Sequence, residues 1–222
     1  MKQEPETTLD FLGTGGGRYV MMSQMRRTAG IRLTEEDTQV HIDPGPGALV
    51  FSNWAGLSPS KLKGLIVTHC HPDHYNDSEV FIEGMTRGIT VKRGVLAGTK
   101  SVLQGAEGIG PCISGYHQRS IEDLVVLEEG TRFNIEELKF TATGARHSDP
   151  HSVGLRIETK NGKIGYTSDT RFFPELPESY IDLRLLVLCT MWPRGKSNRI
   201  HLNADDALRI LQEARPKACI LT

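Results

Sequence analysis

Residues 69–74 read His-Cys-His-Pro-Asp-His. Three imidazoles and a carboxylate within six positions form a cluster of metal-ligand side chains, of the donor types that zinc and its first-row neighbours take. The apolar run Leu65-Ile66-Val67 just before it reads as a short buried strand. The cluster therefore occupies the turn leaving that strand's carboxyl end, where α/β proteins tend to place their sites. Cys70 lies between two of the candidate ligands. Alternate side chains of an extended run point oppositely, so a metal shared by His69 and His71 turns Cys70 away, and the thiol is read as buried and structural.

One ion held only by these six residues would be crowded, so further donors are expected from later strand ends. His147 follows the strand expected from Leu138 to Thr143, and Asp169 follows that expected from Lys163 to Thr167, in Tyr166-Thr167-Ser168-Asp169-Thr170. Both occupy the position that the first cluster occupies, just past a strand. His201, in His-Leu-Asn-Ala-Asp-Asp-Ala, precedes a helix whose N-cap is expected at Asn203. The dipole at that helix end favours a neighbouring anion over a second cation. His41 sits inside a strand and reads as structural, and neither His117 nor His151 is assigned as a ligand.

The elements that must position these groups recur from end to end. A strand over 8–12 runs into Gly13-Thr14-Gly15-Gly16-Gly17, and runs at 30–33 and 38–42 form a hairpin across 34–37. The turn Asp43-Pro44-Gly45-Pro46-Gly47 leads to a helix reaching about Trp54. A second helix is expected from Asp77 to Arg87, capped by Asn76 or Asp77. Strands follow at 96–103, 124–127 and 138–143. Val153 to Thr159 and Lys163 to Thr167 make a hairpin across the Asn161-Gly162 turn. A strand at 183–189, a helix at 204–214 and a strand at 218–221 complete the series. The stretch 104–120 is glycine-rich and aperiodic, and reads as a mobile loop or lid. Hairpins require antiparallel pairing, so two mixed sheets fit the pattern better than one doubly wound sheet, packed face to face with helices outside.

The chain has 222 residues, long enough for one sizeable core, and its 26 basic and 27 acidic side chains leave a net charge of -1. No global field steers a polyanion, so nucleic-acid binding would have to come from a local patch. The four cysteines, Cys70, Cys112, Cys189 and Cys219, lack Cys-x-x-Cys spacing, and no apolar run is long enough to span a bilayer. A reduced cytoplasmic setting, with no membrane partner, is expected.

At this point the chain resembles the metallo-β-lactamase superfamily, whose His-x-His-x-Asp-His signature is matched by His69, His71, Asp73 and His74. The later motif histidine is matched by His147 and the bridging aspartate by Asp169. The resemblance implies an α/β fold, a four-layer αββα sandwich of two mixed β-sheets with helices on the outer faces, over a single domain at 1–222. It implies two divalent metal ions, zinc first and manganese or iron as alternatives. One would take His69, His71 and His147, the other Asp73 and His74, with Asp169 bridging. The family's last ligand is a histidine directly after a terminal strand, in a Leu-Thr-His context; the sequence here reads Leu221-Thr222, so either the domain stops just short of that ligand or the second ion is bound more weakly.

An aspartate at position 169, where the familiar lactamases carry cysteine, argues against β-lactam hydrolysis. The His201 segment and Gly13-Thr14-Gly15 are similar to the ribonuclease Z and cyclic phosphodiesterase branch, in which a histidine before a helix assists the leaving phosphate. The short interval from His147 to Asp169 leaves no room for the long arm that grips transfer RNA, and that from Asp169 to His201 leaves none for the extra nuclease domain of the β-CASP group. Two ions in an open site lower the pKa of bridging water toward roughly 7 and clamp the attacking and leaving oxygens. The expected function is hydrolysis by a metal-bound hydroxide, with a phosphodiester as the substrate: a small nucleotide, a cyclic phosphate or a short RNA end. Asp73 and His201 are the residues assigned to catalysis. His201, the amides of Gly13 to Gly17 and Arg18, Arg26 or Arg27 could support the developing charge, although the glycine run alone reads as a tight turn. Alternatives are an acyl, thioester or lactone hydrolase on the same metals, and a non-catalytic metal-binding domain.

Overall fold

The protein is described by a computed structural model covering residues 7–196 and 199–222. It divides into two compact units, one up to Leu127 together with Ile135–Glu137, the other Glu128–Asn134 with Leu138–Thr222.

The first unit carries β1 (Thr7–Phe11), α1 (Arg18–Ser23), β2 (Ile31–Glu35), β3 (Thr38–Ile42), α2 (Ala48–Trp54), β4 (Leu62–Val67), α3 (Pro72–Tyr75), α4 (Ser78–Met85), β5 (Val95–Thr99), α5 (Lys100–Leu103), α6 (Gly115–Gln118) and β6 (Asp123–Leu127). Its six-stranded sheet runs β1 to β6 in chain order. The first two pairings are antiparallel, and the three from β3 onward are parallel. A parallel strand covered on both faces reads as a continuous apolar run, and β4 accordingly keeps five of its six residues buried. Leu62, Leu65, Val67, Phe81, Met85 and Leu96 form part of one core cluster.

Two expectations change here. The strand placed at 96–103 stops at Thr99, and Lys100–Leu103 is a helical turn. A short buried apolar run suits either element, and Gly98 permits the tight return, since a Cβ there would meet Val102 and Leu103 at 3.1 Å. Nor is 104–120 a free loop. Ile113 is fully buried, and the Gln118 amide donates to the Leu103 and Ile113 carbonyls at 2.8 and 2.7 Å. His117 is held between Glu79 and Glu83, each at 3.2 Å. His41 is structural as expected: its Nε2 lies 3.0 Å from the Ala29 carbonyl, and its Nδ1 accepts from the buried Arg32 guanidinium at 3.3 Å. Burial first, and the Arg32 charge second, hold the His41 pKa well below its ordinary value. Burial likewise lowers Arg32 to about 10, against a partial opposing effect of Asp10.

The second unit carries β7 (Arg132–Ile135), β8 (Leu138–Gly144), β9 (Val153–Thr159), β10 (Gly162–Tyr166), β11 (Leu185–Leu188), β12 (Thr190–Trp192), β13 (Leu202–Asn203), α7 (Ala204–Ala214) and β14 (Ala218–Leu221). Its main sheet runs β14-β11-β10-β9-β8-β7, and β12 pairs with β13 separately. The β9–β10 hairpin closes at Asn161-Gly162, where Gly162 has φ 118. α7 starts on a capping box: the Asn203 side chain accepts from the amides of Asp205 and Asp206, and the Asp206 carboxylate accepts from the Asn203 amide. Ile210, Ala207 and Ala214 turn its apolar stripe onto Leu186, Leu188 and Tyr180. Both sheets are mixed, as the hairpins require.

Candidate metal centre

In the first unit, Pro72 opens the short helix α3, with His71 in the N-cap position. Pro at a first helical position loses no hydrogen bond that an interior site would need, and the helical turn gathers His71, Asp73 and His74 behind His69. His69 Nε2 and His71 Nδ1 lie 3.2 Å apart. Two nitrogens each about 2.0–2.1 Å from a tetrahedral zinc ion sit roughly 3.3 Å apart, so this spacing suits adjacent corners of one coordination sphere. The His69 and His74 rings approach to 4.0 Å, and His74 Nε2 lies 3.7 Å from Asp73 Oδ2. Asp73 Oδ2 also accepts from the Gly17 amide at 2.6 Å. That bond ties the glycine run to the cluster. Cys70 is packed against the core instead.

Asp43 is the residue that sequence reasoning missed. It leaves β3 one position past Ile42, whose register partner on β4 is Ile66. Asp43 is buried and adopts φ 54, a left-handed conformation that costs most side chains energy and that Asp tolerates better. Its Oδ1 accepts from the Thr68 amide at 2.8 Å. Its Oδ2 takes the Thr68 hydroxyl at 2.8 Å and His74 Nδ1 at 3.0 Å. With the Nδ1 proton engaged by this carboxylate, His74 presents the Nε2 lone pair, the arrangement that orients imidazole ligands in metal sites. Gly45 completes the turn. A Cβ there would overlap the Asp73 and Thr28 carbonyls, so only glycine lets the Asp43–Gly47 segment lie this close to the cluster.

In the second unit, β8 and β10 deliver His147 and Asp169. The flanking backbones are stitched together: the Arg146 amide donates to Thr170 Oγ1, and the Arg171 amide to the Arg146 carbonyl, both at 2.9 Å. Ser168, just before Asp169, is buried and adopts φ 52. Strained conformations of this kind persist where the surroundings over-determine them. Asp169 Oδ2 lies 3.7 Å from His147 Nε2 and 3.6 Å from His201 Nδ1, and the two imidazole rings are 4.8 Å apart. His147 Nδ1 is satisfied by the Ile200 carbonyl at 2.8 Å, which frees Nε2 as a donor to a cation. The His147 side chain is fully buried and that of His201 is 12% exposed. His151 stands apart from this trio, its amide bonded to Asp149. Each unit thus presents buried imidazole and carboxylate groups with defined tautomers, able to hold divalent cations.

A family model described as the beta-lactamase superfamily domain matches residues 38–222. The chain belongs to this family. It is 38% identical over 211 residues to an uncharacterized protein of Methanocaldococcus jannaschii, covering 95% of this chain and 79% of that one. With ribonuclease Z of Thermococcus kodakarensis it shares 29% identity over 152 residues, which are 68% of this chain but 46% of the relative. Among solved structures, the metallo-β-lactamase fold protein YhfI from Bacillus subtilis aligns with TM-score 0.80 at 17% identity, over 99% of this chain and 86% of that one. A diphosphatase from the PhnP family aligns with TM-score 0.73 at 20% identity, over 98% and 86% respectively. The fold is therefore the α/β metallo-β-lactamase fold that the motif implied, and the two relatives of named activity above, ribonuclease Z and the diphosphatase, are hydrolases. Among the described residues no helix is long and apolar enough to cross a membrane.

Proposed function

We propose that this metallo-β-lactamase family member hydrolyses phosphodiesters with two divalent ions, zinc foremost. His69, His71 and His147 form one ligand set, Asp73 and His74 the other, and Asp169 serves both. Zinc takes four ligands, of which three from protein leave a position open for water. When bound, such a pair of ions supplies an activated water and a clamp on the reacting oxygens. The chain's own groups do the rest. Asp43 fixes the His74 tautomer, the Ile200 carbonyl fixes that of His147, and the Gly17 amide holds one oxygen of Asp73.

The observation that carries the phosphodiester reading is the place of His201. Its ring lies beside His147 and Asp169, yet its backbone leads directly through Leu202 to the capped N-terminus of α7. A histidine here can donate a proton to a departing alkoxide, while the helix terminus favours the anion left behind. A thioester, whose thiolate leaves without protonation, needs no such donor. His201→Ala is expected to keep its full metal complement and to lose diester turnover by about 10²- to 10⁴-fold, with a smaller loss for activated aryl leaving groups. Metal content and turnover of bis(p-nitrophenyl) phosphate against an unactivated dinucleotide measure this. Metal loss in the variant would make His201 a ligand, undiminished dinucleotide turnover would remove its leaving-group role, and a wild-type protein that hydrolyses thioesters but no diester would establish the acyl-hydrolase reading.

A further inference from the structure

Residues 11–34 and 44–72 contain no aspartate or glutamate, yet they hold Arg18, Arg26, Arg27, Arg32, Lys61 and Lys63. Arg32 is buried; Arg18, Arg26 and Arg27 are exposed. These two stretches therefore carry positive charge alone in a chain whose net charge is -1. Aromatic rings are interleaved with these arginines, Tyr19 being 85% and Trp54 73% exposed. The Arg27 guanidinium lies 4.1 Å over the Phe51 ring and 5.9 Å from that of Trp54, whose ring meets Phe51 edge-on at 5.5 Å. These contacts join the segment around α1 to the end of α2 as one face. The face is also tied to the metal-binding cluster of the same unit. The Gly17 amide, one residue before Arg18, bonds Asp73, and the Gly15 amide bonds the Arg27 carbonyl at 2.9 Å.

We infer that this face binds single-stranded nucleic acid, with bases stacked on Trp54 and Tyr19 and phosphates against Arg18, Arg26 and Arg27. It rests on the phosphodiesterase reading above, and names an extended strand rather than a mononucleotide as the substrate class. Exposed aromatics interleaved with cations form the platform by which proteins take single strands without sequence preference. A core role does not explain rings this exposed. A second copy fits poorly, because a two-fold contact would set the arginines of one patch against those of the other, with no acid in either stretch to separate them.

The test uses the metal-loaded full chain and a 2′-O-methyl phosphorothioate oligouridylate of about twelve nucleotides, within the usual span of single-strand sites, whose sulfur-substituted linkages resist attack by a metal-bound hydroxide. Fluorescence anisotropy across a salt series should show binding that Trp54→Ala weakens about tenfold, the loss of one stacked base. Arg26→Gln should lower the slope of log K against log salt by about 0.7. Turnover of bis(p-nitrophenyl) phosphate by Trp54→Ala should stay at the wild-type value. Absence of oligonucleotide binding, or binding unchanged in Trp54→Ala, overturns the inference. A Trp54-dependent attachment to anionic phospholipid vesicles or a Trp54-dependent dimer, without oligonucleotide binding, overturns it in favour of lipid or of a second copy. Oligonucleotide binding through Trp54 by a protein that leaves bis(p-nitrophenyl) phosphate intact supports the face and removes the phosphodiesterase reading instead.

Discussion

Replacing Asp43 by Asn tests whether one carboxylate outside the ligand set governs the metal affinity of its neighbour. Asn keeps the size of the side chain and tolerates the left-handed backbone at this position, φ 54, so the turn should survive. The hydrogen-bond pattern should not. Oδ1 of Asn can still accept from the Thr68 amide, but an amide nitrogen then replaces Oδ2, which in the native protein accepts from both the Thr68 hydroxyl and His74 Nδ1. The hydroxyl can rotate; the imidazole must move its proton. With Nδ1 turned into an acceptor, His74 carries its proton on Nε2, the nitrogen facing Asp73, and can no longer offer that lone pair to a cation.

Loss of such an orienting partner typically costs 10- to 100-fold in metal affinity. The metal-free protein should also lose a charge-assisted hydrogen bond worth about 2 kcal/mol, a drop of about 4–8 °C in Tm for a chain of this size. Metal content after dialysis against graded chelator, read by elemental analysis, measures the first effect, and calorimetry of the metal-free protein the second. The expected outcome is selective loss of one ion at chelator concentrations that leave the wild type fully loaded. An Asp43→Asn protein with wild-type chelator resistance would refute the tautomer argument, even if its Tm fell.

His71→Ala should remove the ion assigned to His69, His71 and His147 and abolish hydrolysis, and a fully metallated variant would sink that ligand set. Gly13→Ala should destabilise the protein by more than about 2 kcal/mol, because its Cβ would overlap the Arg27 carbonyl. Gly16→Ala, whose Cβ would meet only Asp73 Oδ2 at 3.8 Å, should leave Tm near the wild-type value; equal losses at both positions would show that the run is not chiefly a packed turn. Burial pushes the Glu79 carboxyl up, but bonds from the Ser114 amide and hydroxyl and the charge of His117 outweigh it and hold the pKa below its ordinary 4.5. The folded value is the lower one, so this contribution is present above about pH 4.5 and is lost as pH falls below it. Unfolding monitored from pH 7 to pH 3 should show a steeper loss in the wild type than in Glu79→Gln, and parallel curves would exclude the pairing.

The groups that do chemistry could be read from the sequence because their types and spacing are local. His69 to His74 are neighbours in the chain, and Asn203 with Asp206 is a cap written in four residues. The β9–β10 hairpin shows in Asn161-Gly162 because the glycine takes the positive φ of 118 with which the chain re-enters the strand. Where the outcome depended on packing, the sequence misled. The run 96–103 has apolar residues on either side of Thr99, Lys100 and Ser101, and so short a stretch does not separate a strand from a strand followed by a helical turn. The stretch 104–120 has no period at all; the Gln118 amide and buried Ile113 pin it through contacts that no local pattern announces. α1 escaped notice for the opposite reason, since none of its residues is buried and an unburied helix has no apolar stripe to read.

Asp43 shows where the boundary lies. Its neighbours Pro44, Gly45, Pro46 and Gly47 advertise a turn, which is legible, but its function depends on β3 pairing in parallel with β4 so that Thr68 and His74 arrive beside it. Neither that register nor its φ of 54 is encoded within its own segment. Ser168 before Asp169 repeats the pattern at the end of β10, with φ 52. In both places a non-glycine residue is held in a costly conformation at a strand end, and a buried carboxylate there faces an imidazole. Such strain survives only if the surrounding sheet fixes it. The ligand residues therefore say that a metal can bind. The strained end at Asp43 determines which nitrogen of His74 is left for it, as the Ile200 carbonyl does for His147.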